Sequence, residues 1–473
     1  MLMKIALALA VVTCFATRLP AQTYSAEVEK YIEHKEPVIA FVHALVVDSK
    51  NAASRAGQTV VVRNGIIVAV GDDKKISIPA DAKVIDLSGK ALLPGFVLMH
   101  EHMYRSDFSL SPLYLHVQQL PVTFPRLYLA CGATTIRTAG SVEPYSDLNL
   151  KRDIDAGKII GPEMDVTAPY LEGKGSVFPQ MHELKDAAEA KPFVDFWAGE
   201  GATSFKAYNT LTKQELASAI REVHARKLKI TGHLCSVTYR EAAEMGIDQL
   251  EHGFLASTDF VPGKKENACP FAPNPFGGLT VDSPEVKDFI RLLIRKKVII
   301  TSTLAVFEGA ATLDTTLRPE VLEAMSPDTR EVFLQEYNKA RQPAFNQAIV
   351  EDMRMEKSFA DSGGLLTVGT DPTGNGGTLA GYGSQQSIEL LVKAGFNPLE
   401  AIRIATYNGA LAMGLEKKIG SIEVGKQADL IVLDADPSQN IDNIEKVSLV
   451  FKKGIGFNSP MLFHSVMGKV GRY

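Results

Sequence analysis

The segment 92–102 ends in two histidines that are separated by a single residue, His100 and His102. An apolar run of the length of a β-strand precedes them. Because residues i and i+2 of a strand point to the same face, both imidazoles should leave the strand end side by side. Two neutral imidazoles held in this way are half of a metal site. An isolated pair of this kind also fits ordinary surface or core histidines, so the rest of the chain must decide.

Further residues with metal-ligand chemistry follow other apolar, β-rich runs of the chain. Lys206 lies near the end of the run 203–208, and His233 closes the run 229–234. His252 closes the run 249–253, and Asp371 closes the run 365–371. Together with His100 and His102, these residues would be an improbable accident in a purely structural domain. Each of them alone still fits an ordinary structural role.

The elements that must position these residues form an alternating pattern of strands and helices. Amphipathic segments separate many of the strands, among them 213–227, 236–245, 285–297 and, after the last strand, 385–394. This alternation predicts an α/β fold, a closed parallel (β/α)8 TIM barrel, whose active site lies at the carboxyl ends of the strands. The eight strand candidates are 97–102, 133–138, 164–170, 203–208, 229–234, 249–253, 298–304 and 365–371.

Short β-rich runs precede and follow the barrel. In the first part, the turn Arg63-Asn64-Gly65 between β-branched runs predicts a hairpin, and the whole segment is interpreted as a small antiparallel unit. Runs 428–433 and 447–451 have the same character, so we expect both chain ends to meet in one β-sandwich. The predicted domains are a signal peptide (1–21), the sandwich parts (37–95 and 415–473) and the barrel (96–414).

Composition and the N-terminus narrow the class of protein. The 473 residues are 45% hydrophobic with a net charge of −5, and no Lys/Arg block is long enough to follow a phosphate backbone, so nucleic acid is not expected as a partner. Lys4 and the apolar run 5–16 are typical of a secretory signal peptide, which predicts an exported, periplasmic or secreted protein. That run is too short for a stable membrane span.

The cysteines leave two questions open. Cys14 lies in the apolar run, but residues 11–13 are a poor context for lipoprotein cleavage. A disulfide between Cys235 and Cys269 is compatible with an oxidising compartment, although free thiols are the commoner outcome. The charged insertion 319–362 is compatible with a lid, with a contact in a homo-oligomer or with a longer outer-ring helix.

Taken together, these motifs resemble the amidohydrolase superfamily over about residues 37–455. The resemblance rests on the His-X-His strand after Leu-Pro-Gly-Phe and on the ends of four later strands. It also includes the runs 405–410 and 420–430. The likeness is to the binuclear branch that contains imidazolonepropionase-like, Xaa-Pro dipeptidase-like and ochratoxin-hydrolysing enzymes. The strand-end motifs are Phe205-Lys206-Ala207-Tyr208, Gly232-His233, Glu251-His252-Gly253 and Gly369-Thr370-Asp371.

This resemblance implies a site with two divalent metal ions, zinc first by ligand type. It implies that Lys206 is carboxylated to N6-carboxylysine, an anionic bridge between the metals, since a plain ammonium group would repel them. Formation of the carbamate needs a neutral amine, which burial favours. The alternative is a plain lysine that pairs with Asp371 or reaches the barrel mouth. In the implied ligand set, His100, His102 and Asp371 hold the more buried metal, and His233 and His252 hold the more exposed one.

The catalytic assignments follow from the chemistry of amide hydrolysis. Water between two divalent ions loses a proton near neutral pH and becomes a hydroxide nucleophile. Asp371 is the candidate that takes up a proton and hands it to the departing amine, unless it acts as a ligand alone. Tyr208 points to the face of Lys206 and either contacts the substrate or packs the barrel rim. Arg137 either meets a substrate carboxylate or pairs with an acidic neighbour.

The sequence therefore predicts an exported metal-dependent amidohydrolase. Its expected substrate is a small amide or peptide, such as an N-acyl amino acid or a dipeptide, Xaa-Pro included. The alternatives are a cyclic-amide hydrolase of the imidazolonepropionase type and a non-catalytic barrel that serves as a binding module. Six intact ligand positions oppose the last of these, because a binding module has no physical need for them.

Overall fold

The computed structural model describes residues 23–107, 116–176, 178, 180–270, 272–312, 317–340, 343–374 and 377–472. The predicted signal peptide, with Cys14, lies outside these residues. Within the described ranges, no helix combines the length and the apolar character that crossing a membrane requires.

A short helix and six strands come first in the described chain. Asn64 and Gly65 adopt positive φ angles of 51° and 77°, the conformation of the tight turns that join hairpin strands, and the flanking strands pair antiparallel. The predicted hairpin is therefore confirmed. The elements are α1 (Ala26–Glu29), β1 (Ile32–His34), β2 (Val38–Asp48), β3 (Ala53–Arg63), β4 (Ile66–Asp72), β5 (Lys83–Asp86) and β6 (Ala91–Pro94).

The expectation of a purely antiparallel first unit is wrong. Strands β5 and β6 both pair with β2 in the parallel direction. The chain crosses back through residues 73–82 before β5 begins, so β5 enters the sheet in the direction of β2 and not against it.

Strands and helices then alternate through the central part of the chain. Helices α5, α6 and α13 each begin with a capping box, in which a Thr or Asn side chain and a Glu three residues later satisfy free backbone N–H groups. The elements are β7 (Phe96–Glu101), β8 (Tyr104–Asp107), β9 (His116–Gln119), α2 (Thr123–Ala130), β10 (Ala133–Thr138), α3 (Pro144–Asp155), β11 (Glu163–Asp165), α4 (Ala190–Glu200), β12 (Ser204–Ala207), α5 (Lys213–Ala225), β13 (Lys229–Gly232), α6 (Tyr239–Met245), β14 (Gln249–Glu251), α7 (Pro284–Arg295), β15 (Ile299–Ser302), α8 (Leu304–Ala310), α9 (Pro319–Ala324), α10 (Pro327–Ala340), α11 (Ala344–Asp361), β16 (Leu366–Val368), α12 (Tyr382–Lys393), α13 (Pro398–Arg403) and α14 (Gly409–Met413).

Eight parallel strands of this region lie in two sheets, one of three strands in the order β11-β10-β7 and one of five in the order β12-β13-β14-β15-β16. Backbone hydrogen bonds cross both gaps between the sheets. The amide of Ala168 donates to the carbonyl of Ser204 over 2.9 Å, and the amide of Thr370 donates to the carbonyl of His100 over 3.0 Å. Each predicted strand is present, but most are shorter than predicted, and the third is only β11.

Three strands and a helix complete the chain, namely β17 (Leu430–Leu433), β18 (Val447–Lys452), β19 (Ile455–Asn458) and α15 (Ser459–Val466). They join the first strands in one nine-stranded sheet of order β1-β19-β18-β17-β6-β2-β3-β4, with β5 beside β2. Strands from both ends of the chain therefore share a single sheet. Its packing as a sandwich stays a prediction.

The segment around Gly409 supports β7, the strand that carries the two histidines. A π-helical turn, Ile404–Asn408, precedes this glycine. A Cβ atom on Gly409 would lie 2.2 Å from the carbonyl oxygen of Val97, so only glycine permits this approach of helix and strand. The side-chain amide of Asn408 also donates to the carbonyl of Leu366 in β16, over 2.8 Å.

Candidate metal centre

The six predicted metal-binding side chains line one cavity at the carboxyl ends of the parallel strands. The space between its walls, including the part that is open to solvent, is about 380 Å³. Its described lining residues are His100, His102, Tyr104, Ser106, Tyr170, Phe178, Lys206, Tyr208, His233, His252, Asp371 and Thr373.

His100, His102 and Asp371 form the tightest group. One ligand-type atom of each lies within 4.8 Å of the other two. The Oδ1 atom of Asp371 is 3.2 Å from Nε2 of His102 and 3.6 Å from Nε2 of His100. Strand β7 supplies His100 at its end, and His102 follows it. The two imidazoles therefore converge on one carboxylate, as the spacing of the histidines predicts.

Three further side chains lie beside this group, at the ends of β12, β13 and β14 respectively: Lys206, His233 and His252. The ring of His252 lies 4.5 Å from the ring of His100 and 4.3 Å from the ring of His233, measured between centroids. The Nζ atom of Lys206 is 3.4 Å from Nε2 of His100. The structure therefore places all six predicted residues together, although their individual roles as ligands stay predictions.

Two of these residues have backbone conformations that are unusual for a side-chain-bearing residue. His252 has a φ of 67° and Asp371 a φ of 53°, in the left-handed region that favours glycine. Such positions are held only where the surrounding structure requires them, and they concentrate at functional sites. Both residues follow the last residue of a strand closely, so the turn re-aims each side chain into the cavity.

Burial sets the protonation of the cluster. It lowers the pKa of His102 to about 4 and that of His233 to about 3, and it lowers the pKa of His252 well below its usual value. These imidazoles are therefore neutral at pH 7, which is the form that binds metal ions. Burial also lowers the pKa of Lys206 to about 8, so about a tenth of its amine is uncharged at pH 7.

Glu251 orients His100 from behind the site. Its Oε2 atom lies 2.8 Å from Nδ1 of His100, and because an ionised carboxylate only accepts hydrogen bonds, the imidazole donates. This contact leaves Nε2 of His100 directed at Asp371 and Lys206. In the sequence, Glu251 stands out only as part of the motif Glu251-His252-Gly253. An acid beside a strand-end histidine was the available signal for its role.

Arg137 pairs with this buried acid. Its Nη2 atom donates to Oε1 of Glu251 over 2.8 Å, and its Nη1 atom donates to the side chain of Gln249 over 2.8 Å. Burial alone would raise the pKa of Glu251, but the neighbouring His100 and Arg137 hold that pKa well below its usual range. Of the two readings of Arg137, the structure bears out pairing with an acidic neighbour.

Thr303 orients the imidazole of His252, as Glu251 orients that of His100. Its Oγ1 atom lies 2.8 Å from Nδ1 of His252, which leaves Nε2 of that ring without a hydrogen-bond partner among the described residues. The Nδ1 atom of His102 is buried and without a partner in the same sense. Nothing in the sequence around Thr303 signalled this contact, because the two residues are 51 positions apart.

The donor set fits divalent metal ions. Neutral imidazoles, a carboxylate and a lysine amine with a depressed pKa converge on one cavity, and a buried imidazole nitrogen there has no partner within the described chain. Histidine and carboxylate ligands suit zinc and other first-row metals. Partners such as Glu251, behind a ligand imidazole, are typical of metal sites. A purely structural packing of these groups would leave their polar atoms unsatisfied.

Tyr208 lies beside the cluster and not at its centre. Its ring centroid is 5.1 Å from that of His233 and 4.6 Å from that of Tyr170. Burial raises the pKa of its hydroxyl above the usual value, so the phenol stays neutral. Tyr208 lines the cavity and also packs on other aromatic rings, so both readings of this residue find contacts in the structure.

A disulfide joins the loops after β13 and β14. Cys235, two residues after His233, is bonded to Cys269, and their Cα atoms are 4.8 Å apart. Of the two outcomes that the sequence leaves open, the structure thus shows the bridge and not two free thiols. The reason is that the long loop after β14 folds back over the loop after β13, where Thr258 also donates to the carbonyl of Cys235 over 3.0 Å. None of the described residues 254–283 lines the cavity.

Comparison with known proteins gives a family match over most of the chain. The model of the amidohydrolase family matches residues 91–455. The chain is 23% identical over 428 residues to an imidazolonepropionase of Symbiobacterium thermophilum, which covers 86% of this chain and 91% of that protein.

Solved structures share the fold. A bottromycin amidohydrolase superposes with a TM-score of 0.69 at 18% identity, covering 93% of each chain. A Xaa-Pro dipeptidase with methionine in its active site superposes with a TM-score of 0.67 at 18% identity, covering 89% of this chain and all of that one (100%). At these identities the likeness concerns the fold alone.

Proposed function

Since the chain belongs to the amidohydrolase family and is a hydrolase of C–N bonds, we propose that it is an exported metal-dependent enzyme that cleaves the amide or peptide bond of a small substrate. The candidate substrates are N-acyl amino acids and dipeptides, Xaa-Pro included. The observation that carries this proposal is the convergence of the six ligand-type side chains on one cavity of about 380 Å³.

In this proposal the chain holds two divalent metal ions. His100, His102 and Asp371 would bind one ion, His233 and His252 would bind the other, and Lys206 would bridge them as N6-carboxylysine. When bound, such a pair supplies a hydroxide nucleophile at neutral pH and polarises the scissile carbonyl. Zinc is the first candidate by ligand type.

Lys206 is suited to this modification by its surroundings. A neutral amine attacks carbon dioxide, a proton leaves the nitrogen, and an anionic carbamate results. The pKa of about 8 that burial gives Lys206 supports this step. Its Nζ atom lies 3.4 Å from Nε2 of His100, between groups that would share a bridge.

Asp371 is the proposed proton carrier. Its Oδ1 atom lies 3.2 Å from Nε2 of His102, and 14% of its side chain stays exposed to the cavity. It would take up the proton that the attacking water loses and deliver it to the leaving nitrogen, which cannot depart as an amide anion. Tyr208 would contact the substrate, through its neutral hydroxyl.

Two features of the chain support the proposed export. The apolar run 5–16 after Lys4 supports it. The disulfide between Cys235 and Cys269 also supports it, because structural disulfides persist mainly in oxidising compartments.

The finer architecture belongs to the proposal as well. The backbone hydrogen bonds across both gaps support closure of the two parallel sheets into one barrel over residues 96–414. The nine-stranded sheet from residues 37–95 and 415–473 supports a β-sandwich made by both chain ends.

Hydrolysis of a cyclic amide is the second candidate. The full-length similarity to an imidazolonepropionase favours it. Export opposes it, because the cyclic intermediates of amino-acid breakdown arise inside the cell. An imidazolone substrate therefore belongs in the same assay as the linear amides.

The test combines metal content with substrate turnover. The protein is prepared with zinc and bicarbonate, and elemental analysis should give close to two metal equivalents per chain. The His252→Ala variant should lose about one equivalent, whereas His464→Ala, which removes an exposed histidine of α15, should lose none. Amino-acid release is then measured over a panel of N-acyl amino acids and dipeptides, and ring opening, which releases no separate product, is followed for imidazolonepropionate.

Two outcomes would contradict the proposal. A content near one equivalent with unmodified Lys206 would indicate a mononuclear site. If the protein hydrolyses imidazolonepropionate and none of the linear amides, its substrate is a cyclic amide and the proposed linear substrates are wrong.

A further inference from the structure

Four aromatic side chains form one side of the cavity, and we call them the aromatic wall: Tyr104, Tyr170, Phe178 and Tyr208. The ring of Tyr170 lies 4.6 Å from that of Tyr208 and stacks on that of Phe178 with centroids 6.3 Å apart. With Val142 and Met181 they form a small apolar cluster that is separate from the main core. The wall is thus a distinct unit that faces the site.

The aromatic wall reaches both halves of the metal centre. The ring of Tyr104 lies 4.8 Å from that of His102, and the ring of Tyr208 lies 5.1 Å from that of His233. A molecule whose reacting bond lies at the histidines must therefore pass a ring-lined surface on that side.

The wall offers π faces and neutral hydroxyls, and no charge. The hydroxyls of Tyr104 and Tyr170 lie 2.7 Å apart and bond to each other. Among the described lining residues, Lys206 is the only lysine or arginine. Its Nζ atom lies 3.4 Å from Nε2 of His100 and 5.6 Å from the ring centroid of Tyr170.

The rest of the described lining has little to offer an apolar group. Apart from the six metal-binding candidates and the wall, it contains only Ser106 and Thr373. A ring on the substrate would find its apolar contacts at the wall alone. Aromatic rings prefer offset or edge-on contacts with other rings at centroid distances of about 4.5–7 Å, which is the spacing that the wall itself displays.

We propose that the aromatic wall selects amides that carry an aromatic ring on a group next to the scissile bond. This inference rests on the proposed function and narrows its substrate class. Hydrolysis adds water across the C–N bond and gives a carboxylic acid and an amine, one of which bears the ring. A small aliphatic amide reaches the same metal centre but leaves the wall exposed to water.

Four matched substrates test the proposal: acetylleucine, acetylphenylalanine, benzoylleucine and benzoylphenylalanine. They place a ring on neither side, on the amine side, on the acyl side or on both. At least one ring should raise kcat/KM about tenfold over acetylleucine, mainly by lowering KM. The comparison also shows which side of the amide the wall contacts.

The Phe178→Leu variant should remove most of this advantage, because leucine keeps the apolar character but not the ring face. Phe196→Leu, at an exposed phenylalanine of α4, is the matched control and should keep the preference. Turnover of all four compounds within about threefold of one another would overturn the inference and leave the proposed function standing.

Binding separates the two proposals if turnover fails. Calorimetry with the Asp371→Asn variant, in which cleavage should be strongly slowed, measures affinity for the same four compounds. If the metal-loaded wild-type protein cleaves none of them but ring-bearing compounds still bind about tenfold more tightly, the proposed substrates are wrong and the wall inference holds. Equal affinities would overturn the wall inference as well.

Discussion

Asp371 combines a metal-facing position with partial exposure to the cavity. If Asp371 is both ligand and proton carrier, the Asp371→Asn variant should keep an oxygen ligand for the metal but should be unable to carry a proton. Metal content should then fall modestly, while turnover of a dipeptide falls by roughly two to four orders of magnitude, the usual worth of general acid–base catalysis. The defect should be smaller with a p-nitroanilide, whose leaving group needs less protonation.

Parallel kinetics with both substrate types and elemental analysis check this prediction. An equal defect on both substrates with retained metal would show that Asp371 is not the leaving-group acid. Collapse of metal content would show that ligation is its main role, and Tyr208 would be the next candidate.

A different prediction concerns Lys206, because its proposed contribution is a bridge that a substitution can remove. Lys206→Ala should lower activity by at least roughly 100-fold, more than the loss of a partner behind a ligand costs. A short carboxylic acid added to the assay should restore part of the activity by occupying the vacated space. Lys287→Ala, at an exposed lysine of α7, should behave like the wild type. Full activity of Lys206→Ala would remove the lysine from the mechanism.

The sequence could predict which six side chains meet in the cavity because strand periodicity brings each of them to a strand end. The sequence could not predict the side chains that hydrogen-bond to these residues and orient them. Glu251 meets His100 across 151 positions of the chain, and Thr303 meets His252 across 51 positions. These contacts depend on strand order and register, which a single sequence does not give. The sequence also did not indicate that Tyr170 and Phe178 line the cavity, because both residues lie in irregular backbone after β11.

The turn after β14 is the element most sensitive to a small change. Gly253 follows His252 with a φ of 57°, and a Cβ atom there would lie 2.4 Å from Oε1 of Glu356 and 2.7 Å from both carboxyl oxygens of Asp352. The amide of Phe254 donates to Oδ1 of Asp352 over 2.7 Å. Helix α11 therefore presses two carboxyl groups against the turn that carries His252.

Gly253→Ala should displace this turn. We expect a loss of roughly 1–3 kcal/mol in the free energy of unfolding, the usual cost of overpacking, and weaker metal binding at His252. Urea unfolding and metal titration check both effects. Gly246→Ala is the matched control, since Gly246 also has a positive φ, of 93°, but a Cβ there meets nothing within 4 Å. Equal metal affinity in both variants would contradict the steric argument.

At the scale of elements, sequence patterns located all eight parallel strands but overextended most of them. The predicted third strand covers residues 164–170, whereas β11 is Glu163–Asp165. Beyond it the backbone pairs only through isolated bridges such as Thr167 with Ser204. The apolar character of this segment reflects burial behind the site, and burial has no period that separates a strand from an irregular buried segment.

At the scale of the whole molecule, the two buried carboxyl groups on α11 should make the free energy of unfolding depend on pH. Burial raises the pKa of Asp352 and of Glu356, so both stay protonated in the folded protein. In the unfolded chain they ionise above about pH 4. Their contribution to stability is therefore complete below that pH and is lost progressively as the pH rises through the raised folded values.

Asp352→Asn removes this titration and keeps an acceptor for the amide of Phe254. Relative to the wild type, its melting temperature should rise by roughly 2 °C or more between pH 5 and pH 9. Asp288→Asn, at an exposed carboxylate of α7, should show no such trend. A constant difference between Asp352→Asn and the wild type at both pH values would contradict the assignment.

The shared sheet also has a consequence for how the protein is made. Strand β6 lies between β2 and β17, and the chain passes from β6 through Gly95 directly into β7, which carries His100. During synthesis, β6 therefore lacks one neighbour until residues 430–433 have left the ribosome. Such late, long-range pairing slows folding and leaves edges exposed. If the chain is exported before it folds, as proposed, this delay would be an advantage, since the last strands to be translated complete the support of the strand that carries His100.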